Sequence, residues 1–288
     1  MLKIGTVNKT KSILNENDFY IKKKYGQNFL IEQNILKKIS EIPSITENTL
    51  VVEIGPGLGS LTEYLLEKAK HVLAYEIDKD LIPILQSSLK TNKLTIYNKD
   101  FLKCNIDSDI KNLKIDYDQV IVVANLPFYI TTPIILKIIE ESNIIKEMTL
   151  MVQQEVANRF ASKPSTKDYN SLSIAIQYKT NVKIVLNVPR SAFVPAPNVD
   201  SSVVKITMVD NGLTKPLNEV FFYEIVRASF AQRRKTLVNN LHNKYNLSKD
   251  AIINLLIDLN LDSRIRAENL SVNDFIRLSD ITYNILQK

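Results

Sequence analysis

The sequence predicts an α/β protein, a doubly wound Rossmann-like parallel sheet followed by a small all-helical domain, and three observations predict it. Short apolar segments of strand character alternate with helix-patterned segments between residues 49 and 155. Such alternation with short connections gives a parallel sheet covered on both faces. A glycine-rich turn, Gly55-Pro56-Gly57-Leu58-Gly59, follows the first of these segments. After NGLTKP at 211–216 the strand signals stop and only helical periodicity continues.

The elements follow in order. Residues 1–24 are polar and carry six Lys against Glu16 and Asp18, so a flexible basic arm is expected. Ile31, Ile35, Leu36 and Ile39 fall at helical spacing over 31–41. TLVVEIG (49–55) reads as a buried strand, and SLTEYLLEKAK (60–70) as a helix with Ser60 as N-cap and Glu63 completing a capping box. HVLAYEID (71–78), LTIYNKD (94–100), QVIVVANLP (119–127) and EMTLMVQQE (147–155) are further strands. Helices are expected at DLIPILQSSLK (80–90) and over 132–141, and KIVLNVP (183–189) with SSVVKITMV (201–209) suits an antiparallel edge. Segments 217–242, 248–260 and 271–286 are helical by pattern, with Ser248 and Ser271 as N-caps. Three regions result: a basic arm at 1–24, a catalytic domain at 25–211 and a helical domain at 212–288.

Composition narrows the function. The single cysteine, Cys104, and the two histidines, His71 and His242, exclude a disulfide framework and make metal chemistry unexpected. No run approaches the roughly 20 apolar residues of a membrane span, and the N-terminus lacks a signal-peptide pattern, so a cytoplasmic protein is expected. The net charge of +6 divides as +4 over 1–24, −1 over 25–211 and +3 over 212–288. A near-neutral centre between basic ends suits a polyanion gripped from its edges; on charge alone a solvated surface is the favoured reading.

The glycine turn between a strand and a helix marks a ligand loop. Its G-x-G-x-G spacing, with Ser60 where a third dinucleotide-type glycine would fall, argues against nicotinamide binding. No Lys stands where a phosphate loop requires one. Glu76 ends the second strand, at the distance from Gly55 where a carboxylate can accept from both hydroxyls of a ribose. Asp100 ends the third strand and can receive an adenine amino group. With Glu53 ending the first, this ordered set of acids fits a cationic nucleoside, S-adenosylmethionine.

Asn125-Leu126-Pro127-Phe128 follows the fourth strand, at the lip of the site in this architecture. An exocyclic adenine amine is a poor nucleophile because its lone pair is delocalised into the ring. The Asn125 side-chain oxygen and the Leu126 carbonyl can accept both N–H bonds, hold the nitrogen in line with a sulfonium methyl and favour its pyramidal form. Phe128 can stack on the base, a contact worth about 1–3 kcal/mol.

These residues, with KKKYGQNFL (22–30), MVQQEVANRFASKPSTKDYNSLSI (151–174), AFVPAPNVDSSVVKI (192–206) and FAQRRKTLVNNL (230–241), resemble the ribosomal RNA adenine N6,N6-dimethyltransferase family in its small-subunit branch. The likeness runs from about residue 22 to 240. It implies a class I methyltransferase sheet and S-adenosylmethionine as cofactor. The substrate it implies is a pair of adjacent adenosines in a hairpin loop near the 3′ end of small-subunit (16S-type) rRNA, dimethylated in the immature subunit during ribosome biogenesis by a monomer. Asn28 and Leu30 match cofactor contacts beside Gly55, Gly57, Glu76, Asp100 and Asn125. Phe193 matches an aromatic expected on the opposite face of the target base. Phe128 departs from the family, where Tyr is usual; stacking survives and a phenolic hydrogen bond does not.

Extruding a loop base costs less than opening a duplex. Lys22, Lys23 and Lys24 near the N-terminus, and Arg233, Arg234 and Lys235 after a helical stretch ending at Phe230, are candidates for phosphate contacts. For both clusters a solvated surface is the competing reading. Two other functions remain at this stage: a large-subunit rRNA adenine methyltransferase of the antibiotic-resistance type, which usually carries Ile after the motif Asn and lacks the FxxRRKTL segment, and a non-enzymatic ribosome assembly factor.

Overall fold

The computed structural model describes residues 3–209 and 215–287, with the side chain of Lys23 excepted. The expected linker at 211–216 lies largely outside the described residues. The chain forms two compact units, Met1–Ala157 with Asn181–Met208, and Asn158–Thr180 with Val209–Lys288.

The first unit contains α1 (Val7–Glu16), β1 (Phe29–Leu30), α2 (Gln33–Glu41), β2 (Thr49–Ile54), α3 (Thr62–Leu66), β3 (His71–Tyr75) and α4 (Leu81–Ser88). It continues through β4 (Leu94–Tyr97), α5 (Ile106–Asn112), β5 (Gln119–Asn125), α6 (Thr131–Glu141) and β6 (Ile145–Gln153). Helix α7 (Gln154–Ala161) leads out of it, and β7 (Thr180–Val188), β8 (Phe193–Val194) and β9 (Ser201–Met208) return to it. Seven strands form one sheet in the order β4-β3-β2-β5-β6-β9-β7. The first five run parallel, and β9 is antiparallel to β6 with Leu150 opposite Val204. All six residues of β2 are buried, as a central strand covered on both faces requires, whereas the edge strand β7 is buried only at its two ends. The chain winds from β2 outward through β3 and β4, then resumes at β5 on the other side of β2. The crevice at the C-terminal ends of β2 and β5 is therefore the topological switch point.

The second unit packs α8 (Ser171–Gln177), α9 (Glu219–Ser229), α10 (Leu237–Tyr245), α11 (Lys249–Asp258) and α12 (Val272–Leu286) around Tyr169, Phe222, Leu241, Leu256 and Phe275. Ser248 and Ser271 cap α11 and α12 as the pattern predicts, accepting from the Ala251 and Asp274 N–H groups.

The structure differs from the sequence reading in four places. The segment expected as a flexible arm contains a folded helix. Thr6 caps α1, and Ile4 and Ile13 are buried against Phe29, Leu58, Leu81 and Ile84. Few apolar residues suffice there because the surface they cover is supplied by β1, the glycine turn and α4. Ser60 is not a cap: α3 starts at Thr62, and Glu63 instead accepts the Ile4 N–H at 3.0 Å. Residues 217–242 break into two helices, because the Asn240 amide donates to the Ser229 carbonyl at 2.7 Å and Thr236 starts a new cap. Residues 158–180 belong with the helical unit, where the Tyr169 hydroxyl donates to the Leu270 carbonyl at 2.8 Å.

If α1 is part of the fold, Ile13→Ala should cost about 2–4 kcal/mol in urea unfolding of the full chain. A flexible arm would give no change.

Candidate active site

A cleft of about 1190 Å³ opens at the switch point. The turn after β2 carries Gly55, Gly57 and Gly59 at φ of +70°, +60° and +92°, a region that residues with a Cβ enter only with strain. A Cβ at Gly57 would also meet the Phe29 ring at 3.2 Å. The Gly57 N–H donates to Glu76 Oε2 at 3.2 Å, and the Asp78 N–H to Oε1 at 2.8 Å. Burial pushes the Glu76 carboxyl above its usual range, and these backbone donors, Asp78 before Gly57, draw it back. Asp100 lines the cleft and caps the 3-10 turn Phe101–Lys103, accepting from the Leu102 N–H.

The N-terminal segment forms another wall. Phe29 and Leu30 pair antiparallel with Val194 and Phe193, joining two motifs from opposite ends of this unit's sequence. Asn125 ends β5 opposite Met151, and its Nδ2 donates to the Asn28 carbonyl at 3.4 Å. That contact uses one of the two amide hydrogens, and Oδ1 is the side chain's acceptor. The Leu126 N–H donates to the Met151 carbonyl, Pro127 sets φ at −58°, and Phe128 opens a 3-10 turn at intermediate exposure. Asn28, Leu30, Gly55, Gly57, Glu76, Asp100, Asn125, Leu126, Pro127, Phe128 and Phe193 thus all line one cleft. Phe193 is only 3% exposed and packs among Leu30, Val51 and Met151, so little of its ring remains for a base.

Residues 18–284 match the ribosomal RNA adenine dimethylase family. The chain belongs to this family. It is 47% identical over 289 residues to a ribosomal RNA small subunit methyltransferase A of Bacillus licheniformis, covering 98% of both chains. It is 48% identical to that of Bacillus pumilus, covering 99% of this chain and 98% of the relative. Among solved structures it resembles a dimethyladenosine transferase from Plasmodium falciparum, with TM-score 0.74, 29% identity and coverage of 89% and 97%. A 23S rRNA methyltransferase shares the fold at TM-score 0.66 and 23% identity, with coverage of 88% and 98%.

The basic residues expected at phosphate are placed outside this cleft. Lys22 is paired with Asp78 Oδ1 at 2.6 Å and Asp80 Oδ2 at 2.5 Å, so a phosphate would have to compete with two carboxylates for its ammonium. The Lys23 side chain is outside the described residues, and Lys24 is exposed. Arg233, Arg234 and Lys235 belong to the other unit, exposed in the turn between α9 and α10, where an Arg233 guanidinium nitrogen donates to the Lys167 carbonyl at 3.0 Å.

For this rRNA adenine dimethylase the residues suit a sulfonium nucleoside. Glu53 lines the cleft at 1% exposure, and its Oε2 has no partner among the described residues. An unpaired buried carboxyl oxygen, glycines that leave the turn open and the acceptors Glu76 and Asp100 together match a cationic ligand rich in donors. Burial pushes Glu53 up to about 8; the Thr62 hydroxyl beside it draws it back, and the neighbouring Glu76 charge adds the smallest push upward. The sequence identified Glu53 as an acid at a strand end without giving it a contact; its burial and its missing partner are properties of the folded chain alone.

Between 4.5 and about 8 the folded chain holds a Glu53 proton that the unfolded chain has released, so stability falls as pH rises through that window. Glu53→Gln removes this dependence. Relative to wild type, the variant should gain on the order of a few kcal/mol in urea unfolding between about pH 5 and about pH 8.5. An offset that does not change with pH would mean that Glu53 is ionised in the fold.

Proposed function

We propose that this chain dimethylates the N6 amino groups of two adjacent adenosines in a hairpin loop near the 3′ end of small-subunit rRNA, in the immature subunit, as a cytoplasmic monomer. One observation carries the reading: Asn125-Leu126-Pro127-Phe128 shares a single cleft with Gly55, Gly57, Glu76 and Asp100. Leu126 after the motif Asn, the FAQRRKTL run at 230–237 and the names of the Bacillus relatives favour the small-subunit substrate over the large. Among the described residues no helix is long and apolar enough to cross a membrane.

S-adenosylmethionine supplies an electrophilic methyl group on a sulfonium sulfur. Glu76 would hold its ribose hydroxyls, Asp100 its adenine amino group, and Asn28, Leu30, Gly55 and Gly57 the wall around it. Asn125 Oδ1 and the Leu126 carbonyl accept the two N6 hydrogens of the target base, which fixes the nitrogen and frees its lone pair. Pro127 holds the turn that presents both acceptors, and Phe128 stacks on the base, with Phe193 packed behind. Positioning supplies most of the rate, and no strong base is needed. Arg233, Arg234 and Lys235 hold phosphates through charge.

The direct test incubates the protein with methyl-labelled S-adenosylmethionine and unmethylated small subunits or free rRNA, then maps the label. Label on large-subunit RNA, or none, would overturn the reading.

Asn125→Ala should nearly abolish transfer while cofactor affinity by calorimetry stays within about threefold, because the contacts it removes are made at the reacting nitrogen. Near-normal turnover would remove Asn125 from that role. Replacing Arg233, Arg234 and Lys235 by Gln should flatten the slope of log RNA affinity against log salt by roughly two, at ~0.7–0.9 per phosphate contact, with cofactor affinity unchanged. Parallel slopes would place the RNA surface elsewhere.

A further inference from the structure

Asp78 lies in the turn between β3 and α4, two residues after Glu76, and is 1% exposed. Such a buried carboxylate is tolerated only with partners. Lys22 Nζ donates to its Oδ1 at 2.6 Å, and Gln27 Nε2 donates to its Oδ2 at 2.8 Å. Gln27 is itself held, because its Oε1 accepts the Lys22 backbone N–H at 2.8 Å. Residues 22 and 27 therefore close a small loop on one carboxylate. Lys22 reaches Asp80 as well, and its hydrogen bonds to Asp78 and Asp80 raise its pKa, so the ammonium stays charged.

The chain between and beyond these anchors, Tyr25–Leu30, is a wall of the cofactor cleft. Its far end is tied by the β1–β8 pairing. Its near end is tied to the turn that presents Glu76, and Asp78 serves both purposes, since its backbone N–H also donates to Glu76 Oε1. The bond has a reachable side: the Lys22 side chain is 28% exposed while that of Asp78 is 2%. An ion pair with one partner near solvent and the other buried is fit to open and reclose.

We propose that Lys22, Gln27 and Asp78 form a latch that holds Tyr25–Leu30 closed over the cofactor cleft, with Lys22 and Asp78 acting as positioning residues for cofactor retention. The proposal rests on the reading of this cleft as the S-adenosylmethionine site. The latch contributes no atom to the reaction. It sets how long the wall stays shut and how firmly the Glu76 turn is held while the ligand is bound.

The test is the dissociation rate of labelled S-adenosylmethionine from the binary complex, with no RNA present, so that no phosphate contact can move it. Asp78→Asn and Lys22→Met should each speed release by about tenfold, as truncating one partner of a buried charge pair acts on dissociation. The double variant should be no faster than the faster single variant, because one contact is lost in each case. Lys22→Arg should restore slow release. Should Asp78→Asn fail to fold, Lys22→Met on the solvent side carries the test. Unchanged release in both single variants, or additive effects in the double, would overturn the latch. Glu76→Ala separates the two readings: if it speeds release and the latch variants do not, the latch alone fails. If Glu76→Ala also leaves release unchanged, the cofactor reading fails with it.

Discussion

Keeping acids buried at the rim of one cleft before a cation arrives is the constraint on which the rest of the site depends. Taking a carboxylate out of water costs several kcal/mol unless it is neutralised or hydrogen-bonded. Three neighbouring acids meet that cost in three ways. Glu53 keeps its proton. Glu76 accepts two backbone N–H groups, which requires the left-handed turn at Gly57 and the return of the chain at Asp78. Asp78 takes a lysine and a glutamine from the N-terminal segment. The first device leaves an acceptor that a cationic ligand can ionise, the second leaves Glu76 ready to accept, and the third fastens a wall.

The same constraint explains why the N-terminal segment, as far as Leu30, folds as it does. A wall over buried carboxylates must itself be anchored, and the segment is anchored three times: through Ile4 and Ile13 in an apolar cluster, through Lys22 and Gln27 on Asp78, and through Phe29–Leu30 on β8. Phe29 links the first and last of these, because its ring lies against both that cluster and the bare face of Gly57. A side chain at 57 would strain the turn and push against Phe29 together, so the glycine serves the turn and the wall at once.

The sheet and the cleft were legible because their signals are local. A mostly apolar run such as Thr49–Ile54, bounded by a turn, reads as a covered strand, and acids and Asn125 at strand ends reach one crevice whatever the loops do. What was not legible depends on partners distant in sequence. Helix α1 has too few apolar residues for a periodic pattern, and its stability comes from Leu58, Leu81 and Ile84. Lys22 reads as a free cation until Asp78, 56 residues later, is brought beside it. The placing of 158–180 with the helical unit turns on Tyr169 meeting Leu270, a contact spanning 101 residues. The break at 230–236 rests on Asn240 turning back to the Ser229 carbonyl, which no propensity encodes.

Phe128 illustrates how differently two neighbours in one tetrapeptide are constrained. Stacking needs only an aromatic face, and a ring at intermediate exposure on the lip of the cleft keeps that face with or without a hydroxyl. A phenolic oxygen there would exchange water for a partner at little net gain, so the family's usual tyrosine can give way. Asn125 has no such latitude. Its Nδ2 donates to the Asn28 carbonyl, and in the proposed mechanism Oδ1 is the one atom that accepts from the reacting amine. Aspartate would keep an acceptor but lose the donor and bring a further charge into a cleft already lined by Glu53, Glu76 and Asp100, while serine would not reach. Tolerance at Phe128 and none at Asn125 follow from asking for a surface in one case and for a single oriented atom in the other.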